Sequence, residues 1–509
     1  MNKLILTLIF LCNFSLIWGQ NILFDRHYEL GTWTAGWSMV NLQDSAFIVV
    51  GSNDSLSSAG DKYSGFISKF DYEGNMVKAD QYITTDTIFY QTYNSNSDDQ
   101  FKSIVRTPDN NLMTVGLTQS YGATNLYDID ILLMKLNHNL DTLWTKVLSH
   151  PNDTSLRPNK IINTTDGGFL ICGWQNSYTS SNVRAFLCKV DSLGNLQWRK
   201  SYSNLIYTST IWSVVETSDH GFICVGGVYD ITQEGNPFYM KVDSSGYVEW
   251  TQIQVTLYSD WFRNIIGTLD GNYLISGLGT VGNPTYRQNR FQKITESGVV
   301  IWDKSFGLFS SGSPLGILQN SDSTFMMTGA NGVNGGSQGI LMKLSAVGDS
   351  LWTKNFGEMQ DDGWFWDISL CADGGYIMCG ETYCCNFTPG VGNTSSLWLV
   401  RTDSLGLLTG LNEFLDSLPG TLMSNPFPNP ANNYFEVNIT IPETQIPYNG
   451  NSEVELLLFD IEGKQLALKQ ITTNTKSIHF DISDLAAGTY YVVLSLNGYN
   501  AGGKVIVKN

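Results

Sequence analysis

Short apolar runs separated by polar turns recur along the chain. In one stretch the runs are Ile161-Ile162-Asn163, Phe169-Leu170-Ile171-Cys172, AFLCKV at 185–190 and LQWRKSY at 196–202. Between them lie Asp166-Gly167-Gly168 and Asp191-Ser192-Leu193-Gly194. Runs this short, bounded by glycine-bearing turns, predict β-strands. Glycine after Asp supplies the positive φ of a tight hairpin turn, and the Asp side chain caps that turn. The expected unit is four antiparallel strands in about fifty residues.

The unit repeats. Asp is followed seven positions later by Gly at Asp44–Gly51, Asp109–Gly116, Asp166–Gly173, Asp219–Gly226, Asp270–Gly277, Asp322–Gly329 and Asp373–Gly380. Successive Asp residues are 65, 57, 53, 51, 52 and 51 positions apart. Three residues after each Asp stands Phe47, Leu112, Phe169, Phe222, Tyr273, Phe325 or Tyr376. Later landmarks are Lys69, Lys135, Lys189, Lys241, Lys293, Lys343 and Arg401, then Trp144, Trp198, Trp250, Trp302 and Trp352. Seven four-stranded units predict an all-β fold, a seven-bladed β-propeller over 20–410. In this reading the repeat Asp residues form turns and the repeat Gly residues end the second strands. The seventh copy lacks its Trp-bearing strand, whereas Phe24-Asp25-Arg26-His27-Tyr28 matches Trp352-Thr353-Lys354-Asn355-Phe356 in type. The N-terminal strand is therefore expected to complete the last blade, leaving no open sheet edge.

Residues 411–423 break the period and contain Pro419-Gly420, so they read as a linker. From 424 to 509 the runs FPNPANNYFEV, LFDIEGKQL and DLAAGTYYVVLSL, with the terminal Gly503-Lys504 strand, predict a small β-sandwich. These motifs together resemble the type A C-terminal sorting domain of the type IX secretion system, a family of Bacteroidota with an immunoglobulin-like sandwich. The resemblance covers about a sixth of the chain. It implies Sec export, passage across the outer membrane with the type IX machinery as partner, and release or attachment at the cell surface. Gly488, Tyr490 and Lys504 match the family's recognition positions; in any sandwich they would also serve a turn and alternating strand sites. The propeller is similar only loosely to those such secreted proteins carry, and lacks the WD dipeptide and the double-Gly Kelch signature.

The first residues fit that route. Lys3 precedes an apolar run from Leu4 to Phe14, and polar chain begins at Gln20, so residues 1–19 read as a signal peptide. No later stretch reaches 18 apolar residues, so no transmembrane helix is expected. Seven cysteines remain after cleavage: Cys172, Cys188, Cys224, Cys371, Cys379, Cys384 and Cys385. Without C-x-x-C or nearby His they read as buried small hydrophobes with at most a disulfide. The net charge of −18, from 29 Lys+Arg against 47 Asp+Glu, repels phosphate backbones and excludes nucleic acid as a partner.

Catalytic motifs are missing: there is no H-E-x-x-H, G-x-S-x-G or Walker loop. Gly277-Leu278-Gly279-Thr280-Val281-Gly282 fits G-x-G-x-x-G, but Pro284 and a strand follow where a dinucleotide site needs a helix. Thr164-Thr165-Asp166-Gly167-Gly168 resembles half of a sialidase box, without its Thr-Trp half. Several Asp-Ser/Thr-aliphatic triplets resemble a bacterial O-glycosylation sequon, but copies inside D-S-L-G turns, such as Asp191-Ser192-Leu193, read first as hairpin-turn chemistry. His220 occupies a turn slot. No catalytic or metal residue is assigned and no cofactor is expected, calcium at Asp128-Ile129-Asp130 being the other reading. Asp361-Asp362 beside Trp364 and Trp366 would suit a sugar platform or interblade packing. The expected function is a surface or secreted binding and adhesion module for polysaccharide or protein at an open propeller face; the alternative is an extracellular hydrolase or lyase acting on glycans.

Overall fold

The computed structural model describes residues 23–28, 30, 33–42, 46–54, 63–77, 87–90, 99–119, 129–149, 154–177, 180–202, 208–229, 235–256, 259–280, 287–309, 314–333, 336–357, 362–383, 395–408, 424–439, 454–460, 465–471, 476–496 and 499–508. The signal peptide, the linker, Asp44, Asp128, Asp361, Cys384 and Cys385 lie outside these residues.

Every described element longer than a turn is a strand. Seven antiparallel four-stranded blades follow one another, six of them simple up-and-down meanders and the seventh completed by the N-terminal strand. The third is typical, with Thr154–Asn163 innermost, then Phe169–Ser177, Ser180–Val190 and Leu196–Ser201 outermost. Innermost strands touch in a closed cycle, from Trp33–Asn41 through Asp99–Arg106 and onward to Asp362–Leu370, which returns to Trp33–Asn41. This is a seven-bladed β-propeller. A single parallel bridge, Ser337 to Asp362, ties the sixth blade to the seventh.

The core is divided into seven layers, one between each pair of neighbouring blades. Ile48, Val50 and Ile67 of the first blade meet Phe101, Leu132 and Met134 of the second, for example. The ring closes where Phe24, Phe47 and Phe66 meet Ile377, Cys379 and Leu397. Second and third strands are covered on both faces, so Leu112–Thr118 and Gly235–Val242 are buried at every position. That double burial is why these strands read as continuous apolar runs rather than alternations. The large residues three after each Asp, Phe47 through Tyr376, all lie in these layers. The five described cysteines are buried and free.

Closure uses the predicted strand. Phe24–Tyr28 pairs antiparallel with Ser396–Thr402, Phe24 opposite Arg401, just as Trp352 stands opposite Lys343 in the sixth blade. Arg26 reaches Asn75 of the first blade at 2.8 Å, the contact Lys146 makes to Asn195 between the second and third blades.

In the tail, the pair Tyr434–Asn438 and Ser477–Asp481 shares one core with a four-stranded sheet built on Val454–Asp460 and Gly488–Leu496. Strict alternation buries Phe435, Val437, Ile478 and Phe480 and exposes their neighbours.

Candidate functional site

The repeat glycines lead to the centre of the ring. They do not end the second strands, as the repeat suggests; Gly173 lies within Phe169–Ser177 and Gly380 within Tyr376–Tyr383. A Cβ on Gly51 would fall 2.0 Å from the Ala35 carbonyl oxygen, on Gly226 1.9 Å from that of Thr210, and on Gly380 1.8 Å from that of Trp364. No side chain fits at such a distance. The carbonyl approaches because the innermost strand bulges there. The register of every blade skips one residue opposite its glycine, at Trp37, Lys102, Asn159, Trp212, Arg263, Leu315 and Trp366. A bulge leaves its extra residue unpaired and re-aims the side chain.

All seven bulge residues line one central cavity of about 380 Å³. Ser38, Ser103, Lys160, Asn264 and Asp367, each next along its strand, line it as well. This second ring binds blade to blade. Ser38 donates to Asp367 at 3.0 Å, and the backbone N–H groups of Met39 and Ile368 donate to the same carboxylate at 2.9 Å. Lys160 donates to Ser213 at 3.0 Å and to Asn264 at 2.7 Å; the Asn264 and Asn159 amides donate to the carbonyls of Leu315 and Ile211. The bulge ring faces the cavity with three indoles and two cations. Trp37 packs edge-on against Trp366 with ring centres 4.5 Å apart. Lys102 Nζ lies 4.2 Å from the ring centre of Trp37, and the Arg263 guanidinium 3.9 Å from that of Trp212.

Partial burial in the ring shifts the charged groups. Burial pushes the Lys102 ammonium down to about 8, the Arg157 charge adding and Glu381 opposing. Burial likewise lowers Arg263 to about 10 and lowers Lys160, whose fall the Asp367 charge moderates. Asp367 is raised by burial against the Met39 N–H and Lys160. Glu381, buried beside the cavity wall in the seventh blade, is pushed by burial up to about 7.

The repeat aspartates have structural positions. Asp166 accepts the Gly168 N–H at 3.0 Å and the Thr164 hydroxyl at 2.5 Å, capping its turn. It also pairs with Lys189 at 2.8 Å. Asp109–Lys135, Asp219–Lys241, Asp270–Lys293, Asp322–Lys343 and Asp373–Arg401 repeat that ion pair. Two landmarks of the sequence period thus meet across the hairpin. The residue after each of the six described repeat Asp residues takes the positive φ, 81° at Gly167 and 64° at His220. Asp130 is buried and accepts the Ser149 hydroxyl at 2.7 Å, and among the described residues no group of three His, Cys, Asp or Glu gathers to hold a metal. Trp364 packs edge-on against Tyr383, whereas Trp366 lines the cavity.

The sequence reading missed the cavity residues, although the period contained them. Each stands seven residues before its repeat Asp, from Trp37 before Asp44 to Trp366 before Asp373. That column is chemically mixed, so similarity does not reveal it; only the constant offset does.

In the tail, Gly488 opens its strand, Tyr490 is buried and donates to the Ala486 carbonyl at 2.7 Å, and Lys504 pairs with Val492. Lys508, passed over by the sequence reading, caps the Ile482 and Ser483 carbonyls at 2.6 and 2.8 Å. Residues 425–508 match the family model for a secretion system C-terminal sorting domain. The tail is a type IX sorting domain. The protein that carries it is secreted or attached to the cell surface. No curated protein matches the chain. Similar solved structures include a PL25 ulvan lyase (9% identity, TM-score 0.45, covering 78% of this chain and 100% of the other). They also include Sqt1 from Chaetomium thermophilum (8%, 0.42, 76% and 91%) and the NanB sialidase from Streptococcus pneumoniae (10%, 0.41, 76% and 71%).

Proposed function

We propose that the propeller is an extracellular binding and adhesion module whose ligand enters the central cavity, and that the sorting domain delivers it. The observation that carries this reading is the bulge ring. Seven blades each direct one unpaired residue to the same space, and three of the seven are tryptophans. A largely apolar concavity with a few converging polar groups is the usual form of a ligand site. Its one lining carboxylate, Asp367, is already engaged by Ser38 and two backbone N–H groups. We further propose cleavage of residues 1–19 on export and an immunoglobulin-like topology for the tail, in keeping with a Bacteroidota source.

The test is a glycan and surface-protein array probed with the full chain and with Trp212→Ala and Trp366→Ala. Retention by the native protein, lost in both variants at unchanged thermal midpoint, supports the module. Turnover of any array member by the native protein replaces it with the hydrolase or lyase alternative.

A further inference from the structure

We propose that the cavity recognises the anionic group of an acidic saccharide, an inference that rests on the binding reading above. Among the described lining residues three cations, Lys102, Lys160 and Arg263, face one carboxylate, Asp367, with Glu381 behind the wall near Lys102, in a chain whose net charge is −18. Lys160 is committed to Ser213 and Asn264. Lys102 and Arg263 are different. Both are bulge residues, and among the described residues neither forms an ion pair. The Arg263 Nε is buried without a hydrogen-bond partner. A half-buried cation without an ion-pair partner loses part of its hydration and gains nothing in return. An anion arriving with a ligand removes that cost, and a guanidinium fits a carboxylate or sulfate with two parallel bonds.

The cations also come with a surface. Each lies against the indole contributed by the preceding blade, Lys102 over Trp37 and Arg263 over Trp212. The same indole–cation module therefore occurs twice, at the first and second blades and at the fourth and fifth. An indole face beside a cation suits a ring with an apolar C–H face and an attached anion, which describes a uronate or a sulfated sugar. A volume near 380 Å³ holds one or two such rings. An acidic peptide fits less well. Strand addition needs a regular edge, and a bulge interrupts the inner edge of all seven blades at this height.

The experiment is calorimetric titration of the full chain with four probes: a galacturonate tetramer, a sulfated galactose oligomer, its neutral counterpart and an oligoglutamate. At least one anionic sugar should bind at least about tenfold more tightly than the neutral one. Added salt should weaken that binding. Lys102→Gln and Arg263→Gln should each reduce it about tenfold without lowering the thermal midpoint, so that the preference over the neutral sugar disappears. Which arm binds identifies carboxylate or sulfate. Equal binding of neutral and charged sugars overturns the anion inference but keeps the cavity as a ligand site. Preference for oligoglutamate overturns the saccharide assignment. Binding of none, or binding insensitive to Trp212→Ala, overturns the inference together with the reading beneath it.

Discussion

Leu140 holds a φ of 66° in a turn where six other blades place glycine, at Gly74, Gly194, Gly246, Gly298, Gly348 and Gly406. Those glycines lie under an aromatic ring from the preceding blade; a Cβ on Gly194 would fall 2.6 Å from Trp144, and one on Gly74 2.8 Å from Phe24. The first blade has no Trp landmark, so the turn of the second has room for a side chain, and Leu140 packs there, 5% exposed. Leu140→Gly should lose about 1–3 kcal/mol in denaturant unfolding, since the buried side chain outweighs a backbone strain of about 1 kcal/mol. A stabilised variant would show the strain to dominate. Gly226→Ala, driven against the Thr210 carbonyl, should cost more than Gly167→Ala, which meets nothing within 4 Å and bears only its φ of 81°; at Gly167 the expected loss is about 1 kcal/mol. Burial tends to raise the Asp166 carboxyl, but Lys189, Thr164 and the Gly168 N–H outweigh it and hold it at about 2. A depressed carboxylate stabilises above its unfolded value of 3.8, and that contribution is lost as pH falls from about 4 towards 2. Asp109, Asp219 and Asp270 are depressed too. The denaturant midpoint should therefore drop through this window, and Asp166→Asn should make the drop smaller; a midpoint flat from pH 4 to 2 would contradict this. The turns were legible because Asp-Gly chemistry is local. The glycine's purpose was not, because the carbonyl it makes room for belongs to another strand.

Among elements, the N-terminal strand was the most legible non-local feature. Its five side chains copy the outer-strand types of the sixth blade, and types survive where spacing cannot help. Phe24 takes the Trp position, touching Gly74 and stacking on Phe47. Phe24→Ala should cost about 3 kcal/mol, read from the unfolding free energy of the full chain. If the loss is no larger than for a surface substitution, the strand is not a closing element. The bulged innermost strands were the least legible, since nothing in Ser38 or Trp37 marks the skipped pairing. Double burial hid the inner face in the same way, because runs such as Leu112–Thr118 give no alternation that tells channel side from rim.

At the scale of the whole molecule, the period and the tail motifs made both fold and destination readable, whereas ligand chemistry emerged only when seven distant positions were brought to one axis. Removing residues 424–509 should leave the propeller trapped in the periplasm, as cell fractionation would show; surface delivery of the truncated chain would separate the tail from transport. The closing strand carries one more consequence. Asp25 receives a hydrogen bond from Trp398, 373 positions away. Contacts so remote in sequence form late, because the intervening loop must be closed before it is rewarded. The N-terminal strand is thus the one seated last. Through that interval the seventh blade presents a bare strand edge, a template for pairing with another chain. Until that strand is seated, the ring's last blade carries the pairing hazard of an open sheet, which its closure then removes.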